Sequence, residues 1–268
     1  MGERRQAGKL AQTGRNVLPA FGHLSANQIT ADDCNAYIAA RRADGRKDAT
    51  IRTELGCLRA ALAWAHAARL IDSPPHIVLP PVPRPRDRYL TRAEARRLIE
   101  SAGEPHIRLA MLLMLTTAGR IGAVLDLTWR RVDLDRRIIK LDDYDVGPRK
   151  GRAAVPMNAG LRAALSQAKE ARLTDYVIEW GGEPVKRIKT GFNAAVRNAG
   201  LVGVSPHVLR HTAAVHLVAN GADFERVSQY LGHSSVDVTR RVYGRFAPEH
   251  LQKEADILDF ASRAKAVT

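Results

Sequence analysis

The chain is poor in several things, and each shortage closes a class of explanation. It has two cysteines in 268 residues, Cys34 and Cys57, and they form no CxxC pair. Both sit in apolar helical contexts, so we expect reduced, partly buried thiols in a cytoplasmic protein, not a disulfide scaffold. Long hydrophobic runs are missing too. The longest, Leu109 to Leu115, is far too short to span a bilayer. The polar start Met1-Gly-Glu-Arg-Arg-Gln does not read as a signal peptide, and no membrane partner is expected. There is no P-loop and no GxGxxG, so no nucleotide cofactor is expected. Negative charge is scarce: 28 Asp and Glu stand against 42 Lys and Arg, a net charge of +14. That imbalance calls for an anionic partner, and an excess of Arg over Lys suits bidentate phosphate contacts.

What is present divides the chain. Pro74, Pro75, Pro80, Pro81, Pro83 and Pro85 cannot lie inside a helix, and Arg84, Arg86, Arg88, Arg92, Arg96 and Arg97 accompany or follow them. Residues 73–88 therefore read as an extended basic linker, suited to touching backbone phosphates or simply solvated. Before it, residues 1–72 read as a small helical domain. Thr30-Ala-Asp-Asp is an N-cap signal, and Ile51, Leu55, Leu58, Leu62 and Ala65 recur at helical spacing. The first helix reads as short and weakly patterned.

After the linker, residues 89–268 open with a capping box, Thr91-Arg-Ala-Glu94, and an apolar helix from Pro105. Val132 to Leu141 changes to strand character, and Arg152-Ala-Ala-Val155-Pro156 continues it. The expected fold is mainly α: a small helical domain plus a mixed α+β domain with a small three-stranded antiparallel sheet. From Asn158 on, the chain reads as mostly helical. Trp129 and Trp180 are expected to pack in this second domain.

Side chains able to handle a phosphodiester cluster toward the C-terminus: His207-Val-Leu-Arg210-His211-Thr212, Leu231-Gly232-His233 and Tyr243. A guanidinium can clamp phosphate oxygens, an imidazole can move protons near neutral pH, and a phenol can act as a covalent nucleophile. Upstream, Arg120 follows Gly119, where one helix ends and another begins, and could share an anion with that helix start. His207 and His211 stand four apart, so a metal site is a rival reading. It lacks the Glu of HExxH and has no cysteine cluster nearby. His211 is expected to pack or hydrogen-bond behind Arg210. His216, His106 and the remaining histidines are expected at the surface or in packing, and Tyr230 in the core.

The ordered combination resembles the tyrosine recombinase family, the phage-integrase type of site-specific recombinase. The resemblance runs from about Thr91 to about Leu251, and the N-terminal part is similar to a reduced core DNA-binding domain. It implies strand cleavage and rejoining on double-stranded DNA through a 3′-phosphotyrosyl intermediate, with no metal and no energy cofactor. By that likeness Arg120 and Arg210 hold the scissile phosphate, Tyr243 attacks it, His207 assists proton transfer and His233 positions the phosphate. Lys150, in the turn before the Ala-Ala-Val-Pro strand, protonates the leaving 5′-oxygen; a longer turn would place that position at Pro148. The family's usual acidic residue three positions after the first Arg is here Ala123, with Asp126 one turn further on.

The resemblance also implies a homotetramer on synapsed DNA. The amphipathic segment His250 to Ala264 would dock on a neighbouring protomer or pack on its own domain. Accessory DNA-bending proteins are possible partners. Two rival readings are a DNA-binding regulator without catalysis and a type IB topoisomerase-like enzyme.

Overall fold

The computed structural model describes residues 2–82, 87–141, 154–233 and 235–247, with side chains described from residue 11 onward. Lys150 and the segment 250–264 lie outside these residues. The chain forms two compact units, Met1–Arg86 and Asp87–Thr268.

The first unit is built from α1 (Gly2–Phe21), α2 (Ala31–Ala43) and α3 (Asp48–Ala67). The capping box at Thr30 forms as expected, with its hydroxyl accepting from the Asp33 amide and Asp33 accepting in return from the Thr30 amide. Cys34, Tyr37, Ile38, Ile51 and Leu55 bury together with Val17 and Phe21. Contrary to expectation, α1 is a full helix of 20 residues. Few apolar side chains mark it because only a narrow stripe, Val17 and Phe21 among them, faces the core. Ile77, from the proline-rich stretch, belongs to the same core. Both cysteines are free thiols, Cys34 buried and Cys57 half-buried.

Sequence gave no warning of the buried carboxylate Glu54, which is 4% exposed. It accepts from the Tyr37 hydroxyl at 2.8 Å, the Asn16 amide at 2.9 Å, and Arg41 at 2.8 and 3.1 Å. Burial pushes its pKa up, but the bonds from Arg41, Tyr37 and Asn16 outweigh that and hold it below the ordinary value. The network ties all three helices to one charge.

The second unit begins with α4 (Arg92–Glu100), capped by Thr91 and Glu94 as expected, and α5 (Pro105–Thr117), which starts on its proline. Then follow the single-turn α6 (Ile121–Leu125) and the strands β1 (Val132–Asp133), β2 (Ile138–Lys140) and β3 (Ala154–Pro156). They form the expected antiparallel sheet in the order β1-β2-β3, with Ile139 opposite both Val132 and Val155, all three buried. After α7 (Ala159–Glu170) the chain departs from the helical expectation. β4 (Glu179–Trp180) and β5 (Glu183–Pro184) make a hairpin around Gly181 and Gly182, both at positive φ. Trp180 rides on this hairpin 57% exposed, not packed in the core; its ring meets His106 at 4.8 Å. Trp129 is buried as expected. The unit continues through α8 (Lys189–Asn198), α9 (Pro206–Ala219), α10 (Phe224–Leu231) and α11 (Val236–Tyr243). α5 packs along α9, and the largest core, around Met111, Leu113, Met114, Phe192 and Leu209, holds that pair rigid.

Among the described residues no helix is long and apolar enough to cross a membrane, and no cluster of His, Cys, Asp or Glu could hold a metal ion.

Candidate active site

The site grows from the meeting of α5, α9 and α10. Residues 207 and 210, three apart on α9, share a helix face, so His207 and Arg210 rise from one surface. α5 ends at Thr117, and Ala118 takes a left-handed conformation at φ 50°. That conformation costs a residue with a Cβ roughly 1 kcal/mol, and it turns the Ala118 carbonyl toward α9. α10 ends at Leu231 on Gly232, also left-handed at φ 60°, which frees the Leu231 carbonyl. Arg210 spans both helix ends, donating from Nη1 to Ala118 O at 2.7 Å and from Nη2 to Leu231 O at 2.8 Å. The guanidinium is 5% exposed. Burial lowers its pKa to about 10, the Arg120 charge adds to the drop and the Tyr243 phenol opposes it, so Arg210 stays charged at neutral pH.

Gly119 is needed where it stands: a Cβ there would sit 2.9 Å from Thr117 Oγ1, 3.0 Å from Val124 and 3.2 Å from Leu141. The close passage delivers Arg120 to the surface. Among the described residues, Gly119, Arg120, Ile121, Pro206, His207 and Arg210 line a cavity of about 220 Å³. His207 stands at its rim. Partial loss of water, then repulsion by Arg210 and Arg120, lowers its pKa below the ordinary imidazole value.

His233 follows Gly232 directly, and its Nδ1 shares a hydrogen bond of 2.8 Å with Oγ1 of Thr239. Burial, then Arg210 and Arg120, lower its pKa to about 4, so the ring is neutral at pH 7. Thr239 is wholly buried on α11, one turn before Tyr243. Tyr243 is 5% exposed; burial raises its pKa, and Arg210 pulls the other way.

Arg210 thus stands close enough to Arg120, His207, His233 and Tyr243 for its charge to act on, or be acted on by, each of them. Lys150 lies outside the described residues. Ala123 is buried in the core, and Asp126 is exposed at the end of α6. Tyr230 is a packing residue as expected, donating to Thr116 O at 2.5 Å. His211 is a packing residue, as expected, and its ring meets those of Tyr243 and Phe246. Sequence reasoning missed Thr239, whose only sequence signal is its position four before Tyr243. It missed Thr212 and His216 as anchors as well. They bind the Leu90 amide and carbonyl, each at 2.9 Å, and so fix the entry of the chain onto α9.

The arrangement is a small cationic cavity with two guanidinium groups, two neutral imidazoles and a phenol behind them. It can hold a monoanion and offer it a nucleophile.

The sequence model of the phage integrase family matches residues 88–250. Tyrosine recombinase XerC of Corynebacterium efficiens is 26% identical over 91% of this chain and 84% of its own length. Among solved structures, the Tn1549 transposon integrase in complex with transposon right-end DNA superposes with a TM-score of 0.77 at 18% identity. The match covers 98% of this chain and 94% of that one. The lambda integrase tetramer bound to a Holliday junction gives 0.71 at 20% identity, covering 91% and 73%.

Proposed function

This chain belongs to the phage integrase family, enzymes of the tyrosine recombinase type that cut and rejoin DNA, and on that premise we propose which side chains carry the reaction. Arg210 and Arg120 bind the non-bridging oxygens of the scissile phosphate and oppose the charge that grows in the five-coordinate transition state. Tyr243 attacks phosphorus while its proton passes to His207. A phosphorus–phenolic oxygen bond forms, the bond to the 5′-oxygen breaks, and Lys150 protonates the departing oxygen. A 5′-hydroxyl then reverses these steps on the recombining strand. The phosphotyrosyl link keeps the energy of the broken diester, so no ATP is needed.

The lowered pKa of His207 suits it to accept a proton, and a bound phosphate anion would draw that pKa back toward neutrality. His233, neutral and oriented by Thr239, donates from its other ring nitrogen to a phosphate oxygen in the tautomer in which Thr239 donates to Nδ1. The observation that carries this reading is Arg210: a buried guanidinium held by two backbone carbonyls at the wall of the cavity that Arg120 and His207 also line. Carbonyls fix its direction without neutralising it, so its charge remains for an anion.

The first unit would supply DNA affinity. A groove of about 600 Å³ there is lined by Gln12, Arg15, Asn16, Arg46 and Thr50, with the Arg41–Glu54 pair in its wall, and the Arg15, Arg46 and Gln12 side chains suit contact with phosphates and base edges. By analogy with the lambda integrase tetramer on its junction, four copies would act together, with residues 250–264 as the segment joining neighbours.

The test is covalent trapping. Tyr243→Phe should bind DNA within about twofold of the parent and form no protein–DNA adduct that survives denaturant. An adduct from the Phe variant would overturn the assignment.

A further inference from the structure

The proposed chemistry gives His211 no task, yet its side chain is tightly enclosed. It is 8% exposed, and its Nε2 is buried without a hydrogen-bond partner among the described residues. Burying an unpaired ring nitrogen is unfavourable, so something must favour an imidazole in this place. Its neighbours point to the reason. The ring lies 5.3 Å from that of Tyr243, tilted by 32°, and 5.9 Å from Phe246 at 74°, edge-on. Phe246 in turn meets Tyr89 edge-on at 5.6 Å, and Tyr89 meets His216 at 6.3 Å. Arg245 lies over the Phe246 ring at 4.9 Å and pairs with Asp87. A continuous path of rings and one ion pair therefore runs from Asp87, the first residue of the second unit, to the phenol of Tyr243.

We infer that His211 is a positioning residue for Tyr243: its ring is the platform on which the phenol rests, and Phe246, Tyr89 and the Asp87–Arg245 pair brace that platform. The inference rests on Tyr243 being the nucleophile. A flat ring on one side leaves the phenol free to move along its own plane toward the phosphate while limiting tilt. Burial, then His207 and Arg245, hold His211 below the ordinary imidazole pKa, with Asp87 opposing, so the platform is uncharged at neutral pH. An uncharged ring adds no repulsion to the Arg210–Arg120 pair beside it.

The experiment uses the full chain and the duplex that gives adduct with it, drawn from fragments flanking its own coding sequence. The single-turnover rate of adduct formation and the DNA affinity are measured separately. His211→Leu, which keeps volume and removes the flat ring, should slow adduct formation by about tenfold or more with affinity within about twofold. His211→Phe should recover most of the lost rate. Asp87→Arg and Arg245→Asp should each slow the step, and the double exchange should recover part of it. These last variants keep the test alive if His211→Leu fails to fold. A Leu variant as fast as the parent overturns the platform. So does a Phe variant as slow as Leu, since an imidazole nitrogen would then be what matters. No recovery in the double exchange removes the brace and makes Arg245 a DNA contact. If Tyr243→Phe still forms adduct, the nucleophile assignment has failed and the platform falls with it. Loss of adduct in Tyr243→Phe together with a fully active His211→Leu refutes the platform alone.

Discussion

Thr239→Val separates the geometry of the site from its stability. The two side chains have nearly the same shape, so the wholly buried position gains no cavity and no clash. What is lost is one hydrogen bond of 2.8 Å, between Oγ1 and Nδ1 of His233. Such a bond contributes about 1 kcal/mol net, and leaving a half-buried ring nitrogen unpaired costs about 1–3 kcal/mol. For a unit of this size that lowers the melting temperature by about 3–8 °C, too little to unfold it at 25 °C. Catalysis should suffer more. A freed His233 ring no longer presents Nε2 at a fixed place, and misplacement near 1 Å can cost on the order of 100-fold. We expect single-turnover adduct formation to fall at least tenfold while the folded fraction stays above about nine-tenths, with Thr239→Ser restoring most of the rate. Adduct formation within twofold of the parent, with the hydroxyl gone, would refute the claim that α11 orients His233.

Three further outcomes are expected. Glu54 has a depressed pKa in the folded state, so its contribution to the first unit is full above the unfolded value and is lost as pH falls through the folded value. Glu54→Gln should cost about 3 kcal/mol at pH 7 and flatten that acid-side loss, read by urea unfolding at pH 7 and pH 3. Gly232→Ala places a Cβ at φ 60° and should cost about 1 kcal/mol, while slowing adduct formation by more than the stability loss explains; equal effects would contradict the role of this turn in aiming His233 and the Leu231 carbonyl. Lys150→Ala should slow cleavage, and a substrate with a 5′-thio leaving group should recover the rate because a thiolate departs without an acid.

The readable part of this site was the part written in local chemistry. His207 and Arg210 stand at helical spacing, and the glycine in Leu231-Gly232-His233 announces a helix end, so their placement followed from the backbone alone. The three-stranded sheet was legible from its β-branched stretches and the proline-terminated strand. The β4–β5 hairpin was not found because strands of two residues carry no periodicity, although Gly181-Gly182 is a turn signal that could have located it. Trp180 was expected to pack in the second domain, but on the short β4 strand it stays largely exposed, against the ring of His106. Thr239 and the particular partners of His211 were illegible for a different reason. A hydroxyl and an imidazole state nothing until the tertiary fold supplies their partners. Ala118 is harder still, since alanine gives no hint of a left-handed backbone; its conformation is imposed by the helix end and by the guanidinium waiting for its carbonyl.

That guanidinium has a consequence for the life of the chain before it is finished. Arg210 is aimed only when α5, α9 and α10 have all reached their places, because its two anchors are the last carbonyls of separate helices, 92 and 21 residues away in sequence. A full-length copy that is still partly unfolded therefore carries every reactive side chain and has no aimed cation to hold a phosphate. For a protein of a family that cuts and rejoins DNA, the fold itself is the safety catch: the chain cannot cut until it has passed inspection by its own architecture.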